Sequence, residues 1–349
     1  MSETPFAPAL EAGAAPRRIL LTGASSGIGF QAALQLRRAG HALVLPCRDA
    51  ATAEATVRRL AEAAGGGAGG GPAPLAPVCD LGDLESVERC AAELMRRGEP
   101  IDSLVLNAGL QYTGAAEPQV SAQGIELTIA VNHLAHQLLA QRLLPLLLAG
   151  RDPRLVVTAS EVHDPAAAGG RVGSPAGLGD LAGLRAGLKP ADGFAMVDGV
   201  SPFNADKAYK DSKLCNVLFA REAERRLREQ GQPLSVMALS PGLVIPRSSG
   251  GFFRRSRVHN EWGQRLFALV ARDLLRLTES VENAGARLAA FAGGASPQPA
   301  GFSYFSNRVL GPGRLRFEAV SPSAEALDDA KARDLWSASA GVLGTGDLG

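Results

Sequence analysis

Short apolar runs, each ending in a small or polar turn, recur along this chain with helical stretches between them. Runs at 17–21, 42–46, 75–78, 101–106, 154–157 and 234–239 read as strands. Stretches at 30–38, 84–97, 121–148 and 204–230 carry helical patterns. Strict alternation of this kind predicts an α/β fold, a Rossmann-type doubly wound parallel sheet with helices on both faces. Right-handed crossovers then bring the strand ends to one edge, where ligands bind. The turns that close the strands are therefore where chemistry is expected.

The first turn reads Thr22-Gly23-Ala24-Ser25-Ser26-Gly27-Ile28-Gly29. Glycines let backbone approach a pyrophosphate, and the following helix offers free N–H groups and a positive dipole end. Gly23, Ser25, Ser26, Gly27, Ile28 and Gly29 are the expected cofactor contacts. Their spacing, G-x-x-x-G-x-G, differs from the G-x-G-x-x-G dinucleotide fingerprint. The second run ends at Cys47-Arg48-Asp49. In a dinucleotide fold this end faces the adenosine ribose, where an acid binds the hydroxyls and an arginine suits a 2′-phosphate. Arg48 comes first, which predicts NADPH; Asp49 keeps NADH in play. Near the other end, Tyr209 precedes Lys213 by four residues in a helical stretch. Residues so spaced share a helix face. An ammonium beside a phenol is expected to lower its pKa and make it usable in proton transfer near neutrality.

Together, Thr22–Gly29, Asp80-Leu81, Asn107-Ala108-Gly109, Asn132, Ser160, Tyr209/Lys213 and Pro241-Gly242 resemble, in order, the motifs of the short-chain dehydrogenase/reductase family. The resemblance implies a catalytic set of Asn132, Ser160, Tyr209 and Lys213. Ser160 would hydrogen-bond a substrate oxygen and Tyr209 would move the proton. Lys213 would tune the phenol and hold the ribose, and Asn132 would anchor a water relay. Asp80, Leu81, Asn107, Ala108, Gly109, Pro241 and Gly242 would line the cofactor with Tyr209 and Lys213.

Longer segments resemble the light-dependent protochlorophyllide reductases within that family. They are Gly124-Ile125-Glu126-Leu127, Val131–His136, the insert with Gly179-Asp180-Leu181 and Ala195–Gly199, and the tail Phe317–Trp336. This implies hydride transfer to a ring C=C of a tetrapyrrole, with light absorbed by the pigment. Those reductases usually read Tyr-Pro-Gly-Cys where this chain has Ser240-Pro241-Gly242-Leu243. Retinol-type carbonyl reductases share Asn132-His133-Leu134 and Ser212-Lys213-Leu214, and a dark reductase of a bulky C=O substrate is the alternative. A non-catalytic NADPH-binding protein is a third reading, opposed by the intact Ser160/Tyr209/Lys213 set.

The whole of 17–349 is expected to form one domain, with 165–204 and 245–280 as substrate-side insert and lid. Residues 1–16 lack the basic start and apolar core of a signal peptide and are expected to be a mobile tail. Together with the lack of a transit peptide, this favours a bacterial cytoplasm. Residues 64–74, nearly all Gly, Ala and Pro, read as a flexible loop. A net charge of +1 gives no pull toward nucleic acid or membrane surfaces. No apolar run is long enough to span a bilayer. The four cysteines and five histidines show no metal-ligand spacing. A small-molecule substrate is the expected partner, and a homo-oligomer is compatible with the fold.

Overall fold

The computed structural model describes residues 10, 15–65, 71–232, 234–244, 278–294, 301–311 and 314–346. The lid expectation at 245–280 falls largely outside these residues, as do most of the tail 1–16 and the middle of the loop 64–74. Ala15 and Pro16 are held by Arg151, whose Nη2 donates to both carbonyls.

Strands β1 (Arg18–Leu21), β2 (Ala42–Val44), β3 (Ser103–Leu106), β4 (Arg154–Thr158), β5 (Ser235–Ser240), β6 (Phe302–Gly311) and β7 (Arg314–Ala319) form one sheet. Its order is β2-β1-β3-β4-β5-β6-β7, parallel except for β7. Alternate residues serve opposite faces, as the strand period of two requires. Leu20, Leu104, Leu155 and Val236 join one core, beneath α3 (Leu84–Arg97), α5 (Ala135–Leu148) and α7 (Ala205–Glu229). Ile19, Val105, Val156 and Met237 join the other, beneath α1 (Gly27–Arg38) and α8 (Val281–Gly293). The helix α2 (Ala50–Ala63) follows β2, and the chain closes with α9 (Asp329–Leu343).

Helix starts are set by side-chain caps. Asp49, Asp83, Asn204 and Asp328 each accept from an amide in the first turn of α2, α3, α7 and α9. Two expectations shift. The run 75–78 does not form a full strand. It pairs with β2 and the residues just after it, through Leu75 N to Leu43 O (2.9 Å), Leu45 N to Leu75 O (2.7 Å) and Cys47 N to Pro77 O (2.9 Å). Pro72, Pro74 and Pro77 lack the N–H groups a longer ladder needs. The stretch 121–148 is helical only from Leu127. Gly124, at φ +75°, closes a turn before it, and the Glu126 carboxylate caps Thr128 N and Ile129 N, each at 2.9 Å. From there α4 (Leu127–Ile129), a π-turn (Ala130–Leu134) and α5 run on as one helix.

The insert between β4 and α7 holds a short helix, α6 (Ala182–Arg185), and is tied down on two sides. Lys207 Nζ on α7 reaches Gly177 O (2.7 Å), Asp211 (2.7 Å) and Asp198 (3.2 Å). Lys210 Nζ donates to the carbonyls of Val172 and Ser174. From the tail, Glu325 accepts from Leu178 N at 3.0 Å and Lys331 donates to Gly179 O.

Candidate active site

The glycine turn after β1 is packed backbone against backbone. A Cβ on Gly29 would stand 2.2 Å from the Gly23 carbonyl oxygen, and one on Gly23, at φ +74°, 2.8 Å from Ala108 Cα. Gly27, at φ +57°, has open space where a Cβ would stand, so backbone lies open there at the α1 N-terminus, where Ser26 is the N-cap and Gly27 and Ile28 begin the helix. Thr22 ties this turn to the end of β3. Its Oγ1 accepts from Asn107 N (2.9 Å) and Ala108 N (3.0 Å), and Asn107 Nδ2 donates to Thr22 O (3.0 Å). The residues present fit a dinucleotide, with open backbone at Gly27 for its pyrophosphate and a helix start that no side chain caps.

At the end of β2, Arg48 pairs with Asp49 (Nε to Oδ2, 3.1 Å). Asp49 also caps Thr52 N, and these bonds hold its carboxyl at about 2. The acid is thus spent on the helix and on its neighbour, leaving Arg48 as the outward group. Cys79 N donates to Cys47 O, which sets Asp80 and Leu81 beside Arg48; Asp80 Oδ1 takes Gly82 N at 2.8 Å.

The other end of the site gathers around α7. The Ser160 hydroxyl hydrogen-bonds the Tyr209 phenol. Lys213 Nζ lies 5.7 Å from the Tyr209 ring centroid and donates to Thr158 O at 3.1 Å. Asn132 is fully buried in the π-turn and holds Leu110 from both sides: Oδ1 accepts its N–H (2.8 Å) and Nδ2 donates to its carbonyl (3.0 Å). A Cβ on Gly109 would stand 3.4 Å from Asn132 Oδ1 and 3.7 Å from Lys213 Nζ. Asn132, Gly109, Lys213, Tyr209 and Ser160 are thus one constellation at the C-terminal edge of the sheet. Pro241 and Gly242 leave β5 at the same edge.

The short chain dehydrogenase family model matches residues 17–172. Protochlorophyllide reductase A, chloroplastic, of Oryza sativa subsp. japonica is 36% identical over 332 residues, covering 93% of this chain and 80% of the rice protein. The chain belongs to the short-chain dehydrogenase family. Among solved structures, an uncharacterised Mycobacterium paratuberculosis protein aligns with TM-score 0.66 at 26% identity, covering 98% of each chain. The Pseudomonas aeruginosa RhlG/NADP active-site complex aligns with TM-score 0.56 at 25% identity, over 83% of this chain and 94% of that one. The protein is therefore an oxidoreductase of the short-chain dehydrogenase type. A nicotinamide cofactor follows from the family and the glycine turn.

In this short-chain dehydrogenase the electrostatics depart from what the Tyr-x-x-x-Lys spacing suggests. The Tyr209 phenol is pushed above its ordinary value: burial leads, Asp206 adds to it, and the Ser160 bond only partly offsets them. Tyr209 keeps some solvent-accessible surface, yet the protein packed around it is dense enough for desolvation to win. Lys213 is only 2% exposed and is itself lowered to about 8 by burial. Its ammonium stands over the ring, 5.7 Å from the centroid, and the expected depression does not appear.

Sequence reasoning passed over His136. Burial lowers it to about 4, so the ring is neutral. Its Nδ1 meets Asn132 O at 3.1 Å and its Nε2 meets Thr22 Oγ1 at 3.0 Å. A carbonyl can only accept, so the proton sits on Nδ1 and Nε2 accepts from Thr22. The ring thereby joins the π-turn to the nucleotide turn. A histidine four residues after Asn132, on the same helix face, was the available signal. Lys207, just before the motif, and Lys210 and Asp211 inside it hold the insert. Among the described residues no group of three His, Cys, Asp or Glu could hold a metal, and no helix is long and apolar enough to cross a membrane.

Proposed function

We propose that the protein is an NADPH-dependent reductase of the light-dependent protochlorophyllide type. The observation that carries this reading is the extent of the likeness: 93% of the chain aligns with the rice protochlorophyllide reductase. A general reductase scaffold does not require the insert, yet here it is bonded to both α7 and the tail. NADPH is favoured over NADH because Asp49 is committed to Thr52 N and to Arg48, which leaves the guanidinium facing outward.

The bound nicotinamide supplies the hydride; the chain's own residues handle the proton. Burial raises the Tyr209 phenol, so it stays protonated at neutral pH and serves as donor to the substrate carbon rather than as base. Ser160 fixes the phenol's orientation. The Lys213 ammonium, lowered to about 8 by burial, is held by Thr158 O and does not offset that rise. Asn132 holds the Leu110 backbone against the site, and the glycine turn fixes the cofactor end. Mixing protein, NADPH and protochlorophyllide and recording absorbance in darkness and under illumination tests the reading. A pigment band that shifts on mixing and converts only in light is expected; no shift on mixing would overturn it.

One observation favours a second reading, a dark reductase of a bulky carbonyl compound. Ser240 stands where the light-dependent reductases usually carry tyrosine. It is fully buried, with Oγ accepting Glu161 N at 3.0 Å. That hydroxyl braces the turn after Ser160 and is not offered to a ligand. Conversion in darkness of a bulky ketone or aldehyde, lost on Tyr209→Phe, would establish this alternative.

A further inference from the structure

A guanidinium stands at the lip of the glycine turn that no motif predicts. Arg59 lies in the third turn of α2, where a surface cation would ordinarily point to solvent. Instead its side chain folds back over α1. Nη1 donates to the Ser25 carbonyl at 2.8 Å, and Cζ sits 4.4 Å from the centroid of the Phe30 ring. The plane is therefore fixed by a cation–π stack and a hydrogen bond, both to the turn or to the first residues after it.

Its charge is not otherwise used. Among the described residues Arg59 has no carboxylate within ion-pair distance, whereas Arg17, Arg18, Arg142, Arg154, Arg221 and Arg225 each have one. A carbonyl and a ring face leave a full positive charge and most of the guanidinium donors outward. Arg48 leaves β2 just before the same helix and is also outward-facing, with Asp49 on its Nε. The α1 N-terminus, which no side chain caps, adds the positive end of its dipole to this corner. Arg59, through Ser25, borders the turn after β1, and Arg48 lies in the turn after β2; between these turns the fold places the adenosine ribose.

We propose that Arg59 is a second specificity residue for the cofactor's 2′-phosphate, working with Arg48 to separate NADPH from NADH. The inference rests on the NADPH reading above. Because Arg59 grips Ser25 O, it also couples phosphate binding to the conformation of the glycine turn. Arg48 sits on a strand end and is tied only to its neighbour, so it supplies charge without that coupling.

Fluorescence titrations of NADPH and NADH against the parent, Arg48→Ala, Arg59→Ala and Arg59→Lys, at low and high salt, test this. Arg59→Ala is expected to weaken NADPH about fivefold to tenfold, the scale of one charge-assisted contact, and to leave NADH unchanged. Arg59→Lys should recover part of the loss, and the salt dependence of NADPH binding should flatten in Arg59→Ala. Melting each protein without cofactor shows whether the turn survives. An NADPH preference in the parent that is undiminished in Arg59→Ala would overturn the Arg59 assignment alone. So would an equal loss for both cofactors with a lowered melting temperature, since Arg59 would then merely staple the turn. Equal NADPH and NADH affinity in the parent would overturn the NADPH reading and this inference with it.

Discussion

Lys213 should cost the fold stability that its function recovers, and replacing it with methionine measures the cost. The lysine is 2% exposed and its pKa falls from 10.5 to about 8, with desolvation as the cause. At about 1.4 kcal/mol per unit, holding the ammonium in this place costs roughly 3 kcal/mol below pH 8. Methionine of similar length removes that penalty and gives up the hydrogen bond to Thr158 O, worth about 1 kcal/mol. The carbonyl is not orphaned, because Asn216 Nδ2 still donates to it at 3.2 Å. Lys213→Met should therefore stabilise the cofactor-free protein by about 2 kcal/mol at pH 7. The sign follows from linkage: the folded pKa is depressed, so between about 8 and 10.5 the unfolded chain holds the extra proton. Parent stability then rises with pH across that window, and the variant's advantage shrinks to nothing. Denaturant midpoints at pH 7, 8, 9 and 10 read this directly. A difference that stays constant from pH 7 to pH 10, or a variant less stable than the parent at pH 7, would refute the reasoning. The same variant should lose cofactor affinity, because the stabilising change removes the ammonium the site needs.

Tyr209→Phe should leave cofactor binding near the parent value and cut turnover by ~10²-fold or more, the size of a lost acid–base group. Single-turnover kinetics on an identified substrate will show it. Gly29→Ala places a methyl 2.2 Å from the Gly23 carbonyl oxygen. Backbone cannot yield as a flexible side chain would, so a loss of about 1–3 kcal/mol and of cofactor binding is expected in denaturation and fluorescence titration. Trp336, 2% exposed and stacked on Phe219 at 5.6 Å, should cost about 3–5 kcal/mol on replacement by alanine. Limited proteolysis of that variant should first cut the insert at 165–204.

The first strands and their turns were legible in the sequence because local pattern and tertiary role coincide there. Leu20 and Leu21 are apolar for opposite faces of a parallel sheet, so the run is continuous and easily seen. The hairpin β6–β7 was not seen. Ser303, Ser306, Asn307 and Arg308 interrupt its apolar content, and only pairing with β5 and with β7 makes it sheet. The helix at 121–148 was overdrawn by six residues, since Gly124 matters through its positive φ, which composition does not reveal. At the site, the sequence supplied the residues but not their electrostatics. Spacing puts Lys213 near Tyr209; which part of the ring the ammonium meets, and how much water remains, depends on packing. Arg59 could not have been chosen, because the bond that singles it out joins residues 34 apart on different elements.

The bonds between insert and tail constrain how this protein could have been assembled. Leu178 and Glu325 are 147 positions apart, yet one is the other's hydrogen-bond partner. Arg185 faces Asp334 at 3.8 Å and Lys331 reaches Gly179 O. A gene exchange that delivered the insert alone would leave Leu178 N and Gly179 O without their partners from the tail. One that delivered the tail alone would strand the carboxylate of Glu325. Transplanting either segment alone would break the bonds that tie the two together. A graft of this substrate region onto another dehydrogenase would have to carry both.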